Sequence, residues 1–391
     1  MSNPFLGLIF HWLGGLASAS FYLPYRGVKK WAWETYWLAG GFFSWIIAPW
    51  VLAWFMTNDL LQVLRETPLY PTLFWTYMFG VLWGFGGLTY GLTMRYLGLS
   101  LGMATVLGFC AAFGTLMPPI FNALFVPEST PLSQVFGTTS GLVILAGVGV
   151  CLIGIAVSGV AGMTKEHEMT EAQKRATIKE FSFKKGMAVA TFSGVMSACF
   201  SYGIQAGGPI KKIASEHGTG PLWQGLPVLV VILLGGFTTN FFWCLILNIR
   251  NRTGGQYFSS RAQGAGSGPA LETAIDAPGE EMAKQVELPT SEPGQVPLVL
   301  NYLLCAIAGT MWYFQFFFYT MGESQMGQYK FSSWTLHMAS IIIFGSLWGI
   351  YFKEWRGASR SAMTFLFLSI ALLVGSTIII GLGNYLGQLK P

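Results

Sequence analysis

WGFGGLTYGLTMRYLG at residues 83–98 and WYFQFFFYTMGESQMG at residues 312–327 carry one spacing: Trp, one residue, Phe, four residues, Tyr, seven residues, Gly. Each stretch begins inside a long apolar run. Such runs recur ten times along the 391-residue chain, and each is long enough to cross a hydrocarbon core about 30 Å thick at about 1.5 Å per residue. They fall at roughly 4–25, 33–56, 72–94, 98–124, 136–160, 186–206, 222–249, 298–322, 332–352 and 362–386. The two quoted stretches therefore belong to the third and eighth runs.

The second and seventh runs match as well, LAGGF at 38–42 against LLGGF at 233–237. The first and sixth share Gly15, Ser18, Ala19 and Phe21 against Gly194, Ser197, Ala198 and Phe200. Three matches in register, each five runs apart, describe an internal repeat. Because five is odd, the two copies cross the membrane in opposite senses. The expected fold is thus an all-α integral membrane protein of ten transmembrane helices, built as two inverted five-helix repeats. Residues 1–160 form the first repeat, 161–185 a cytoplasmic connecting loop, and 186–391 the second repeat. Inverted repeats characterise carriers whose midplane site lies at the repeat interface.

Composition agrees with a membrane solvent. The chain is 53% hydrophobic and only 10% charged, whereas soluble domains carry about 25% charged residues. Only Glu34 of all the Asp, Glu, Lys and Arg residues falls inside an expected span. An outer-membrane barrel would instead show alternating strands of about ten residues. The N-terminal MSNPFLGLIFHWLGG lacks a basic leader and a small-residue cleavage site, so a removable signal peptide is not expected. Cys110, Cys151, Cys199, Cys244 and Cys305 all lie in apolar runs, without the spacing of a metal site. No cofactor, metal or nucleic-acid partner is expected, and no catalytic motif appears.

With the N-terminus outside, 17 of the 22 Lys and Arg residues fall in cytoplasmic loops, as the positive-inside rule requires. Both termini are then periplasmic. The loop at 161–185 mixes charges of both signs and reads as a short amphipathic helix. Residues 251–296, rich in Gly, Ser, Pro and Glu, read as a disordered linker without chemistry.

The stretches KKWAWET (29–35), YGLTMRYLG (90–98), GTLMPP (114–119), MWYFQFFFY (311–319), SWTLHM (333–338) and KEW (353–355) resemble the bacterial L-rhamnose/proton symporter family, a branch of the drug/metabolite transporter superfamily. The resemblance runs from the first span to the tenth. It implies uptake of L-rhamnose with a proton across the inner membrane. Two features depart from the family pattern: the linker at 251–296 is longer, and Glu323 stands where the family carries a histidine.

A neutral 6-deoxyhexose needs side-chain amides for its hydroxyls and flat rings for its apolar face. Gln315, near the middle of the eighth span and close to Trp312 and Tyr319, is the first candidate for a polar cavity. A helix-linking hydrogen bond is its plainer reading. Trp83 and Tyr90, their counterparts in the other repeat, are candidates for pocket wall or ordinary packing. Gln205, Tyr202 and Asn240 are further candidates of the same kind. For the proton, ionisable groups within spans are functional by default. His11 comes first, then His337 and Glu323, each with a water-exposed interfacial reading beside it. Glu34 is the fourth proton candidate, with a structural ion pair to Lys29 and Lys30 as its plainer, favoured reading. A metabolite exporter of the same fold and a membrane-embedded transferase are the competing functions.

The orientation is testable. Reporter enzymes fused near Ser267 should be active only as cytoplasmic fusions, and those after Pro391 only as periplasmic ones; the reverse pattern overturns the topology.

Overall fold

A computed structural model describes residues 2–125, 132–168, 182–259 and 296–389. The principal helices are α1 (Pro4–Ser20), α2 (Trp33–Gly41), α3 (Ala48–Met56), α4 (Leu60–Glu66), α5 (Phe74–Leu97), α6 (Leu99–Phe125) and α7 (Thr139–His167). They continue as α8 (Phe183–Ala206), α9 (Gly208–Glu216), α10 (Leu226–Asn251), α11 (Leu298–Ser324), α12 (Ser333–Tyr351) and α13 (Arg360–Leu389). Local chemistry sets their ends. Asn3 caps α1 by accepting from Leu6 N at 3.2 Å, with Pro4 in the first turn where no N–H is needed. Thr138 caps α7 by accepting from Gly141 N at 3.1 Å.

Among the described residues, nine helical segments are long and apolar enough to cross a membrane. The expected third span is the exception. It falls on α5, whose 24 residues extend about 36 Å, but whose Gly, Thr and Tyr content makes it less apolar than the others. The second span is not one regular helix. A π-helical segment, Phe42–Ile47, joins α2 to α3 just before Pro49; the proline ring displaces the carbonyl four residues back, which favours this wider turn.

The helices pair in a recurring way. α5 packs on α8 and α10, as α11 packs on α1 and α2; α6 packs on α8, as α12 packs on α1. α7 and α13 form the most extensive interface of all. Glycines permit the closest of these approaches. A Cβ on Gly309 would collide with the carbonyl oxygen of Gly40, and a Cβ on Gly80 with that of Ile232, 3.2 Å from Gly235 Cα. These are the glycines of the repeated LAGGF and LLGGF stretches and of the helices they cross. In the α7–α13 contact the tight positions are Gly147, Gly154 and Gly383.

α7 runs unbroken to His167, into the expected connecting loop at 161–185; the amphipathic helix read there falls mostly on residues 169–181, outside the described residues. Two expectations are corrected. The linker does not begin at 251. Residues 251–259 are ordered, with a 3-10 turn at Gly254–Tyr257, because Gln256 Oε1 accepts from Ala32 N at 2.7 Å and Thr35 Oγ1 at 3.0 Å. The rest of the linker lies outside the described residues. Second, Glu34 does not pair with Lys29 or Lys30. Its carboxylate accepts from Asn251 Nδ2 at 3.0 Å and Thr253 Oγ1 at 2.7 Å, because the end of α10 reaches the first turn of α2 before the lysines do.

All five cysteines are free thiols buried in the bundle.

Forcing a side chain between α2 and α11 should be costly. Gly309→Val is expected to lower stability by about 1–3 kcal/mol through overpacking, read as a fall in thermal unfolding temperature in detergent. Gly345→Ala, where nothing lies within 4 Å, serves as the neutral control.

Candidate functional site

A cavity of about 560 Å³ opens at the face of the bundle that carries both termini. That face is tied together by Asn3 N donating to Gln325 Oε1 at 3.0 Å and Gln388 Nε2 to Ser2 Oγ at 2.7 Å. The cavity is bounded by the C-terminal ends of α8 and α11, by α9, by the start of α12 and by the proline-bent part of α6.

The bend explains one wall. Pro118 lacks the N–H that would bond the carbonyl of Gly114, and Ser201 Oγ of α8 donates to that oxygen at 2.9 Å instead. Gly114 also leaves room for the Trp334 indole, which a Cβ there would strike. Trp334 Nε1 donates to Cys110 O at 3.0 Å, and its ring continues a stack through Phe200 to Phe316, with centroids 5.9 and 3.9 Å apart. Trp334 thus presents a fixed flat surface to the cavity, across from Tyr319 at a centroid distance of 5.7 Å.

The polar lining comes from Gln205, Gln224, Gln328, Ser201 and Ser215. Lys211, Lys212, Lys330 and Glu323 add charge. Lys211 Nζ lies 2.5 Å from Glu323 Oε2, and both side chains are mostly buried. This pair ties α9 to the end of α11. α9 is also held from outside, where His217 Nε2 lies 2.9 Å from Glu66 Oε2 and Nδ1 3.4 Å from Asp59 Oδ2. The hydrogen bond to Glu66, then that to Asp59, hold the His217 pKa above its ordinary value. A raised histidine pKa means that this clasp is fully present below the ordinary value and is lost as pH rises through the raised one.

The opposite face is shut. A space of only about 10 Å³ lies there among Phe21, Tyr25, Trp37, Trp45 and Trp312, a volume at the limit for one water. Around this plug Asn301 Nδ2 donates to Lys29 O at 2.8 Å, Trp37 Nε1 donates to Asn240 Oδ1 at 3.1 Å, and Arg26 stacks 4.5 Å from the Phe352 ring.

Of the residues singled out for sugar binding, the cavity takes in Tyr319 and Gln205. Gln315 is buried but lines neither space. Trp312 faces the plug, and Trp83 packs on it at 5.5 Å. Tyr90 belongs to a small apolar cluster with Leu97 and Val106. Tyr202 OH is spent on Phe113 O at 3.0 Å, and Asn240 on Trp37 and the Gly236 carbonyl. Most of these lie off the cavity because it sits at the helix ends; Tyr202, at cavity level beside Ser201, turns instead towards α6. His11 and His337 are fully buried, whereas Glu323, though mostly buried, lines the open cavity and pairs with Lys211. Glu34 lies at the shut face. The sequence reading missed Lys211, Trp334, Gln224 and Gln328. The Lys-Lys pair after the sixth span and the Trp of SWTLHM were the available signals.

The chain matches the profile of the L-rhamnose-proton symport protein (RhaT) family over residues 1–261 and 290–385; the unmatched stretch lies within the long linker. It is 34% identical over 385 residues to an L-rhamnose-proton symporter of Pectobacterium atrosepticum, covering 98% of this chain and 99% of the relative. It is also 34% identical over 379 residues to one of Yersinia pestis, covering 97% of each.

The ion pair can be tested by a double-mutant cycle. Lys211→Met and Glu323→Gln should each destabilise the protein by leaving one charge without its partner. The double variant should recover much of the loss, a coupling of about 1–3 kcal/mol in thermal unfolding.

Proposed function

The chain belongs to the L-rhamnose-proton symport protein family, and from that membership we propose that it takes up L-rhamnose, or a closely related 6-deoxyhexose, together with a proton. It is a secondary active transporter of the bacterial inner membrane, a transporter and not an enzyme, working by alternating access. We place it in the drug/metabolite transporter superfamily.

The observation that carries the reading is the one-sided cavity, open at the face of the termini and shut by aromatic rings at the other. Its volume lies in the range of about 300–1,000 Å³ usual for small-ligand sites. Trp334 and Tyr319 offer flat faces to the apolar side of a deoxysugar, and Gln205, Gln224 and Gln328 offer amides to its hydroxyls. With both termini periplasmic, the cavity faces the side from which sugar arrives. α5 serves as the tenth span. The paired packing of α5 with α8 and α10, and of α11 with α1 and α2, supports two inverted five-helix repeats. Trp312, Trp83, Gln315, Tyr90, Tyr202 and Asn240 then belong to the half that opens in the inward-facing state. The coupling ion is a proton, for which His11, His337, Glu323 and Glu34 are the available groups.

Direction separates this reading from export. Adding L-rhamnose to energy-depleted, right-side-out vesicles should raise external pH. An inside-negative potential of 100 mV, about 2.3 kcal/mol per charge, should sustain roughly fifty-fold accumulation. Accumulation only in inverted vesicles would mean an exporter.

A further inference from the structure

His11 and His337 come from opposite ends of the chain and flank Tyr319 behind the cavity wall. Both side chains are fully buried, and none of their four ring nitrogens has a hydrogen-bond partner among the described residues. Buried polar atoms without partners are rare enough that each needs a reason. Two glycines make the space. A Cβ on Gly322 would stand 2.8 Å from His11 Nε2, and one on Gly14 would stand 3.5 Å from His337 Nδ1.

A third residue holds the two segments together. Ser340 Oγ lies 2.9 Å from His11 O and 2.8 Å from His337 O, so its single proton serves either carbonyl. Between the imidazoles and the cavity stands Tyr319, whose ring centroid is 5.5 Å from that of His11 and 5.4 Å from that of His337. The other side of Tyr319 lines the cavity.

We propose that His11 and His337 form a single proton-binding site behind the sugar cavity, loaded from the cavity past Tyr319 and kept in register by the positioning residue Ser340. The proposal rests on the symport reading and selects among its four candidate groups. Glu323 already carries Lys211, and Glu34 is held by Asn251 and Thr253 at the shut face. The step is a plain proton transfer. A proton from water in the open cavity adds to an imidazole lone pair, and the same N–H bond breaks towards the cytoplasm after the protein turns; nothing is oxidised or reduced. Two imidazolium cations on either side of one tyrosine in a low-dielectric interior repel strongly, so the two histidines hold one proton between them at a time.

The titratable neighbours fit that role. α11 presents Tyr319 and, one turn on, Glu323 with its Lys211 counter-ion. α7 presents Cys151 behind Thr335, α6 presents Cys110 beneath Trp334, and α13 presents Tyr385, which packs on Phe5. No carboxylate bonds either histidine among the described residues.

The test uses the full chain in proteoliposomes and reads protons taken up per L-rhamnose taken up. His11→Gln and His337→Gln should each lower that ratio roughly tenfold or more, while Gly345→Ala, in open space, should leave it unchanged. A double variant, His11→Gln with His337→Gln, that keeps the wild-type ratio overturns the proposal. Ser340→Ala removes only a hydroxyl, and decides the matter if the glutamine variants do not fold. It should shift the pH midpoint of sugar-driven proton uptake by about half a unit or more, and an unchanged midpoint would count against the pair. Wild-type protein that exchanges no L-rhamnose at all sinks the symport reading instead, an outcome distinct from either of these.

Discussion

Backbone meeting backbone at glycine is the contact on which the rest of this bundle depends. Hydrocarbon offers no hydrophobic drive for one apolar helix to bind another, so association rests on close packing and on interhelical hydrogen bonds. Where Gly309 meets the Gly40 carbonyl, and Gly80 the Ile232 carbonyl, two helices approach as closely as main chains allow. Those crossings bring α11 against α2 and α5 against α10. The large rings of Trp45, Trp83, Trp312 and Phe316 then fill the space left between them.

Polar groups follow the opposite logic. A buried amide, hydroxyl or carboxylate must be paired, and most here are. Ser201 takes up the carbonyl that Pro118 releases, Thr115 and Thr335 bond each other at 2.7 Å, and Glu34 is satisfied by two neutral donors. Against that background the unpaired imidazoles of His11 and His337 stand out, and so does the charged Lys211 inside the cavity wall.

The spans were legible because apolar length is a one-dimensional signal. Nine of the ten expected runs coincide with helices that meet the length and apolarity of a crossing, and α5 fell short only because glycine and hydroxyl side chains dilute it. The case for a repeat rested on glycines and aromatics that keep their spacing along the sequence. The cavity was not legible. Gln315 looked decisive because an amide in mid-span is conspicuous, yet the open space gathers at helix ends, where Lys211 and Gln224 resemble ordinary loop residues. Trp334 was hidden for another reason, since its place depends on a glycine and a proline more than two hundred residues away. The ordered start of the linker was missed because its composition is that of a coil, while Gln256 owes its order to the first turn of α2.

That ordered segment also sets an energy scale. Four hydrogen bonds of 3.0 Å or less join it to the start of α2, two to the Glu34 carboxylate and two through Gln256. At a net worth of about 1 kcal/mol each, they bias the shut end by about 4 kcal/mol, close to a thousand-fold in population. A carrier that turned over against such a bias unaided would spend nearly all its time facing one way. The open end must therefore close with comparable strength once loaded, so that turnover depends on the difference between two closures and not on the strength of either.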